Sequence, residues 1–94
     1  MKFNEQSLQK LEAILSQSDY VVRYERGNFL SGWCLLEAKK VVVLNKFLDV
    51  EGRINTLVDL IPQINIYYDR LTIESQRLFD ELNKKVIKSP DSFT

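Results

Sequence analysis

The side chains that most often carry chemistry at neutral pH are nearly missing from this chain. There is no histidine, which removes Ser-His-Asp and Cys-His nucleophilic machinery, imidazole zinc ligands and the usual near-neutral general base. Cys34 is the only cysteine, so neither an intrachain disulfide, a thiolate zinc site nor a Cys-x-x-Cys redox pair is available. Flanked by Trp33 and Leu35 in an apolar run, Cys34 reads as a small core residue. Gly27, Gly32 and Gly52 are isolated, and none belongs to a phosphate-cradling loop. Carboxylates remain as acid/base or hard-metal candidates: Asp49 with Glu51, Asp59 alone, and Asp80 with Glu81. Each has a simpler role, Asp49 as a helix cap, Glu51 as a first-turn acid, and the rest as solvated helix faces. The expectation is a protein that is not an enzyme and that carries no cofactor and no metal.

The elements that position these residues are those of an ordered α+β chain. Its 94 residues are 45% hydrophobic and 28% charged, enough for one domain with a modest core. The domain is expected over residues 1–88, with 89–94 as a flexible tail. Asn4 is placed to cap a first helix from residue 5 to about 16, with Phe3 and Leu8 spaced as a hydrophobic staple. Leu8, Leu11, Ile14 and Leu15 fall on one face of that helix. Three strand signals follow, Tyr20–Glu25, Leu30–Glu37 and Lys40–Phe47. Gly27-Asn28 suits a tight hairpin turn, and Ala38-Lys39 is a second, weaker turn. Asp49 caps a second helix with Ile54, Leu57, Val58 and Ile61 inward, and Pro62 ends it near Leu60 or Ile61. A third helix begins at Thr72 and turns Leu78, Phe79, Leu82 and Val86 inward. The predicted order is α-β-β-β-α-α, a three-stranded antiparallel meander packed against helices.

Alternation along the strands sorts the meander into two faces. One carries Tyr20, Val22, Tyr24, Ser31, Trp33, Leu35, Val42, Leu44 and Lys46. The other carries Val21, Arg23, Glu25, Leu30, Gly32, Cys34, Leu36, Val41, Val43, Asn45 and Phe47. Neither is polar enough to be plainly the wet one, although a small antiparallel sheet usually has such a face. Different helices covering opposite faces would account for this. Alternatively one face meets a partner, because large apolar patches on soluble proteins mark interaction sites. Tyr and Trp are enriched at interface hot spots, so the expected interaction face is Tyr20, Val22, Tyr24, Trp33, Leu35, Leu44 and Lys46. Helices one and two are then expected to shield the Val21, Cys34, Val43, Phe47 face.

Lys and Arg balance Asp and Glu at thirteen each, which gives no general pull toward nucleic acid or an anionic membrane. The balance is uneven along the chain. Arg23, Arg26, Lys39, Lys40 and Lys46 crowd the strands against only Glu25 and Glu37, whereas acids dominate from Asp49 to Glu81. A basic sheet with Tyr20, Tyr24 and Trp33 has the makings of a single-strand nucleic-acid platform. No apolar run exceeds four residues (Trp33–Leu36 and Val41–Leu44), far short of the ~20 residues of a membrane span. Met1–Lys10 lacks the apolar centre of a signal peptide, and the expected location is the cytoplasm.

The string Tyr24-Glu25-Arg26-Gly27-Asn28-Phe29-Leu30-Ser31-Gly32-Trp33-Cys34, followed by Lys40-Val41-Val42-Val43-Leu44-Asn45-Lys46, resembles segments of a family of small uncharacterised bacterial proteins. That resemblance covers the middle of the chain and implies no activity. The strand ending in Asn45 and the capped connection to Arg53 also look like the lead-in to the active helix of zincin-type metallopeptidases. The positions of the two metal-binding histidines and the glutamate base of those enzymes are held here by Asp59, Gln63 and Leu60, so this likeness implies a non-catalytic relative. The expected function is therefore non-enzymatic binding or assembly, as a homodimer or with another protein, through the aromatic sheet face. Single-stranded nucleic-acid binding by the basic, aromatic strands is the alternative.

Overall fold

The computed structural model of the chain describes residues 2–26 and 33–87. Helix α1 spans Glu5–Gln17, strand β1 Val21–Glu25, strand β2 Trp33–Leu36, strand β3 Val41–Asn45, helix α2 Val50–Leu60 and helix α3 Ile73–Ile87. Local chemistry accounts for the helix boundaries. The Asn4 side chain accepts a hydrogen bond from Ser7 N (2.9 Å), and that of Asp49 from Gly52 N (2.7 Å). The Thr72 hydroxyl accepts from Ser75 N (3.2 Å). Each satisfies one of the backbone donors a helix leaves open at its start. Pro62 stops α2 at Leu60, and the chain tightens into a 3-10 turn over Ile61–Gln63. Leu8 is buried, while Phe3, its expected staple partner, is 54% exposed.

The sheet differs from the predicted meander. The strand order is β1-β3-β2, with β1 parallel to β3 and β2 antiparallel to β3. The sheet is therefore mixed, and β1 and β2 do not pair. The Gly27-Asn28 turn lies outside the described residues, as does the 89–94 tail, but the β1–β2 pairing that turn implied is not made. The physical reason lies in β3. Val42, Val43 and Leu44 are all buried, and a strand apolar on both sides belongs in the middle of a sheet. β1 carries Arg23 and Glu25, charges suited to an edge. The β2–β3 connection is a short reversal, as predicted, but it is a 3-10 turn over Glu37–Lys39 with Lys40 in the left-handed region (φ 53°).

The core lies between one face of the sheet and the helices. Leu11, Ile14 and Leu15 of α1, Ile54, Leu57 and Leu60 of α2, and Leu82 of α3 meet Tyr20, Val42 and Leu44. Ile64 and Ile66 pack against the same cluster from the α2–α3 connection, which forms no strand. Among the described residues no helix is long and apolar enough to cross a membrane.

Candidate interaction surfaces

The face expected to be open is the covered one. Tyr20 is 7% exposed and Leu44 is fully buried, while Val22, Tyr24, Trp33 and Leu35 pack against the helix cluster. Only Lys46 of the expected set is exposed, in the turn after β3. The correction follows from size, because burying the larger aromatic side chains removes the most apolar surface from water. The phenol groups do not prevent burial, because each reaches a partner. Tyr20 Oη donates to the carbonyl of Asn65 (2.9 Å), and Tyr24 Oη donates to the carboxylate of Glu12. Burial first, and then that hydrogen bond and the Glu12 charge, hold the Tyr24 phenol above its ordinary pKa. Cations close the outer sides, with Lys40 Nζ 4.7 Å from the Tyr20 ring centre and Arg53 4.3 Å from that of Tyr24. A stacking platform of Tyr20, Tyr24 and Trp33 is thus turned inward.

The opposite face is the exposed one, and the pairing register arranges it in rows. Val21, Val41 and Leu36 stand side by side, then Arg23, Val43 and Cys34, then Glu25 and Asn45. Val21 is 55% and Leu36 45% exposed. The face therefore grades from an apolar end to a polar one. Arg23 and Glu25 pair across it at 2.7 Å, both substantially exposed, a contact worth about 0–1 kcal/mol. Cys34, expected in the core, is instead half-buried on this face and lies outside the main core cluster.

A second constellation was not visible in the sequence. At the N-terminal ends of β1 and β3, residues 18–20, Lys40 and 65–70 are bolted together. Fully buried Ser18 accepts Tyr67 N on its hydroxyl (3.0 Å) and Lys40 Nζ on its carbonyl (3.1 Å). Lys40 also donates to Tyr67 Oη and lies 3.8 Å from the centre of that ring. Arg70 covers the Tyr67 ring (4.8 Å) and pairs with Asp19. Among the described residues Asp19 and Lys40 are the two non-glycine residues with positive φ, a conformation that costs roughly 1–2 kcal/mol apiece. These polar groups are spent on one another, so the cluster reads as a structural bolt. Lys40, counted among the strand cations that might meet nucleic acid, is committed to it. No signal of spacing announces the bolt, because its contacts join residues 22 to 51 positions apart in sequence.

The carboxylates are dispersed. Asp49 caps α2, Asp80 accepts a hydrogen bond from Tyr68 Oη (3.0 Å), and among the described residues no three Asp, Glu or Cys side chains gather as a metal site would need. A shallow groove of about 450 Å³ runs between α1 and α3, over Ala13 and Leu78. Its rim carries glutamines and the exposed Lys10–Glu74 pair, with no convergent acid–base set. Comparison with protein-family models, curated proteins and solved structures finds no match.

Proposed function

We propose that this chain is a non-enzymatic binding and assembly protein that associates with a second copy of itself through the open face of its sheet. The observation that carries the reading is the row Val21–Val41–Leu36, exposed at Val21 and Leu36 and half-buried at Val41, on a sheet whose opposite face packs against the helices. Exposed β-branched and aliphatic side chains in one contiguous row are a patch, whereas scattered ones would need no explanation. Two-fold pairing is the commonest way for a chain to cover such a surface.

The size of the face sets the expected strength. Five residues along the strands and three strands across give a footprint of roughly 16 by 14 Å. That is far below the ~800 Å² per partner of a standard stable complex. The association is therefore weak and concentration-dependent, with the Arg23–Glu25 end contributing register more than affinity. Sedimentation equilibrium over a wide concentration range is the test. A monomer–dimer equilibrium in the wild type, shifted to monomer by Leu36→Lys with its circular dichroism retained, is the expected result. A wild type that stays monomeric at millimolar concentration, or a Leu36→Lys variant that still dimerises equally, overturns it.

A further inference from the structure

We infer that the C-terminal ends of the two parallel strands form a binding site for single-stranded nucleic acid, built on Phe47 between Arg26 and Lys46. Phe47 is 69% exposed, an unusual placement for a large aromatic ring in a well-braced turn. The bracing is explicit. Phe47 N donates to the Asn45 side chain (2.9 Å), and Leu48 N to the Asn45 carbonyl (3.2 Å). Arg53 reaches back from α2 to the carbonyls of Leu48 (3.0 Å) and Lys46 (3.3 Å). The ring is held out toward solvent on a turn with little freedom left to lose on binding, which is the preorganisation a contact residue needs.

The cations beside it are equally placed. Lys46 N donates to the Glu25 carbonyl (3.0 Å), which sets Arg26 and Lys46 next to each other at the ends of β1 and β3. Arg26 lies 5.8 Å and Lys46 5.7 Å from the Phe47 ring centre. The nearby acids are occupied, Glu25 by Arg23 and Asp49 by the start of α2. The ring stays 69% exposed with both cations over it, and among the described residues neither cation has a carboxylate partner; this matches a ligand that repeats a flat ring and a negative charge. Single-stranded nucleic acid does so at every nucleotide, and base–aromatic stacking with phosphate contacts is the sequence-tolerant way to hold it. An acidic peptide would satisfy the charges and leave the ring idle. A membrane surface requires a broader apolar face than one side chain. The site lies past the last paired residues Glu25 and Asn45, away from the Val21–Val41–Leu36 row, and does not depend on self-association.

Fluorescence anisotropy of the full chain with a labelled oligothymidylate of about 12 nucleotides, within the usual site sizes, tests the proposal. Two phosphate contacts predict about sevenfold weaker binding on going from about 50 to about 200 mM salt. Phe47→Ala should weaken binding about tenfold with the salt slope unchanged, whereas Lys46→Ala should flatten that slope by about 0.7. Because both side chains are exposed, retained circular dichroism separates loss of the site from loss of the fold. Phe47→Tyr should bind as the wild type does. No binding at low salt, an affinity indifferent to Phe47→Ala, or equal affinity for duplex of the same length, for polyglutamate or for anionic phosphatidylserine vesicles overturns it.

Discussion

The two faces of one three-stranded sheet have nearly the same hydrophobicity in sequence and opposite fates in the fold. The face with Tyr20, Tyr24, Trp33 and Leu44 is sealed under α1 and α2, and the face with Val21, Val41 and Leu36 is left open. What separates them is the area at stake and the polar handles at its edges. Large aromatic side chains gain most from burial, and each tyrosine here also finds an acceptor for its hydroxyl. Residues that look like an interface when counted by type are, in this molecule, the interior. The smaller side chains are left for whatever the surface does.

The largest expected effect is in the comparison of truncations to alanine on the two faces. Leu44→Ala removes a fully buried side chain and should cost about 2–5 kcal/mol in denaturant unfolding. Val21→Ala on the open face should stay within about 0.5 kcal/mol. Trp33→Asp sharpens the same contrast. An interface tryptophan would tolerate the change in the isolated monomer, whereas one packed on the helix cluster should lose most of the cooperative transition. Equal losses at positions 44 and 21 would mean that the assignment of the faces is wrong.

The bolt at the other end of the sheet supplies the next test. Lys40→Ala and Lys40→Gly both delete the contacts to Ser18 and Tyr67, but only glycine relieves the positive φ of 53°. The glycine variant should therefore be the more stable of the two by about 1 kcal/mol. Identical stabilities would mean that position 40 carries no backbone strain.

An alkaline titration probes the covered face again. The folded-state pKa of Tyr24 is raised above its unfolded value, so the folded state holds the proton more tightly. Its contribution to stability is complete below the unfolded value of about 10 and declines as pH rises above it. Denaturant midpoints of the wild type should fall above about pH 10 more steeply than those of Tyr24→Phe. Parallel curves would show that the phenol contributes no such linkage. The smallest effect belongs to Cys34. Half-buried on the open face, it should react with a thiol reagent at a rate that falls modestly as protein concentration rises. That dependence should vanish in Leu36→Lys, and a persisting one would place the protecting contact elsewhere.

Much of this architecture was legible in the chain because much of it is local. Asn4, Asp49 and Thr72 cap helices through side chains that reach three residues ahead. Pro62 stops α2 through its own ring and missing N–H. The periodicity of Leu8, Leu11, Ile14 and Leu15 selects the buried face of α1 without reference to any other element. Strand existence was equally local, and so was the sorting of side chains by alternation.

Strand order, the choice of covered face and the bolt are long-range, and no window of sequence contains them. β1 leaves its neighbour in sequence and pairs with β3, whose Val42, Val43 and Leu44 are buried on both faces of the sheet. That decision depends on the relative burial of three strands at once. Lys40 meets Ser18 and Tyr67, and Arg70 meets Asp19, across 22 to 51 positions of sequence that only the tertiary fold brings together. The sequence by itself determined the class of the fold, its helix boundaries and the lack of histidine and cysteine-cluster chemistry, since these follow from residue type and near neighbours. Tertiary structure alone decided which face of the sheet is exposed and which charges remain uncommitted, since both depend on what each side chain can bury against across the whole chain.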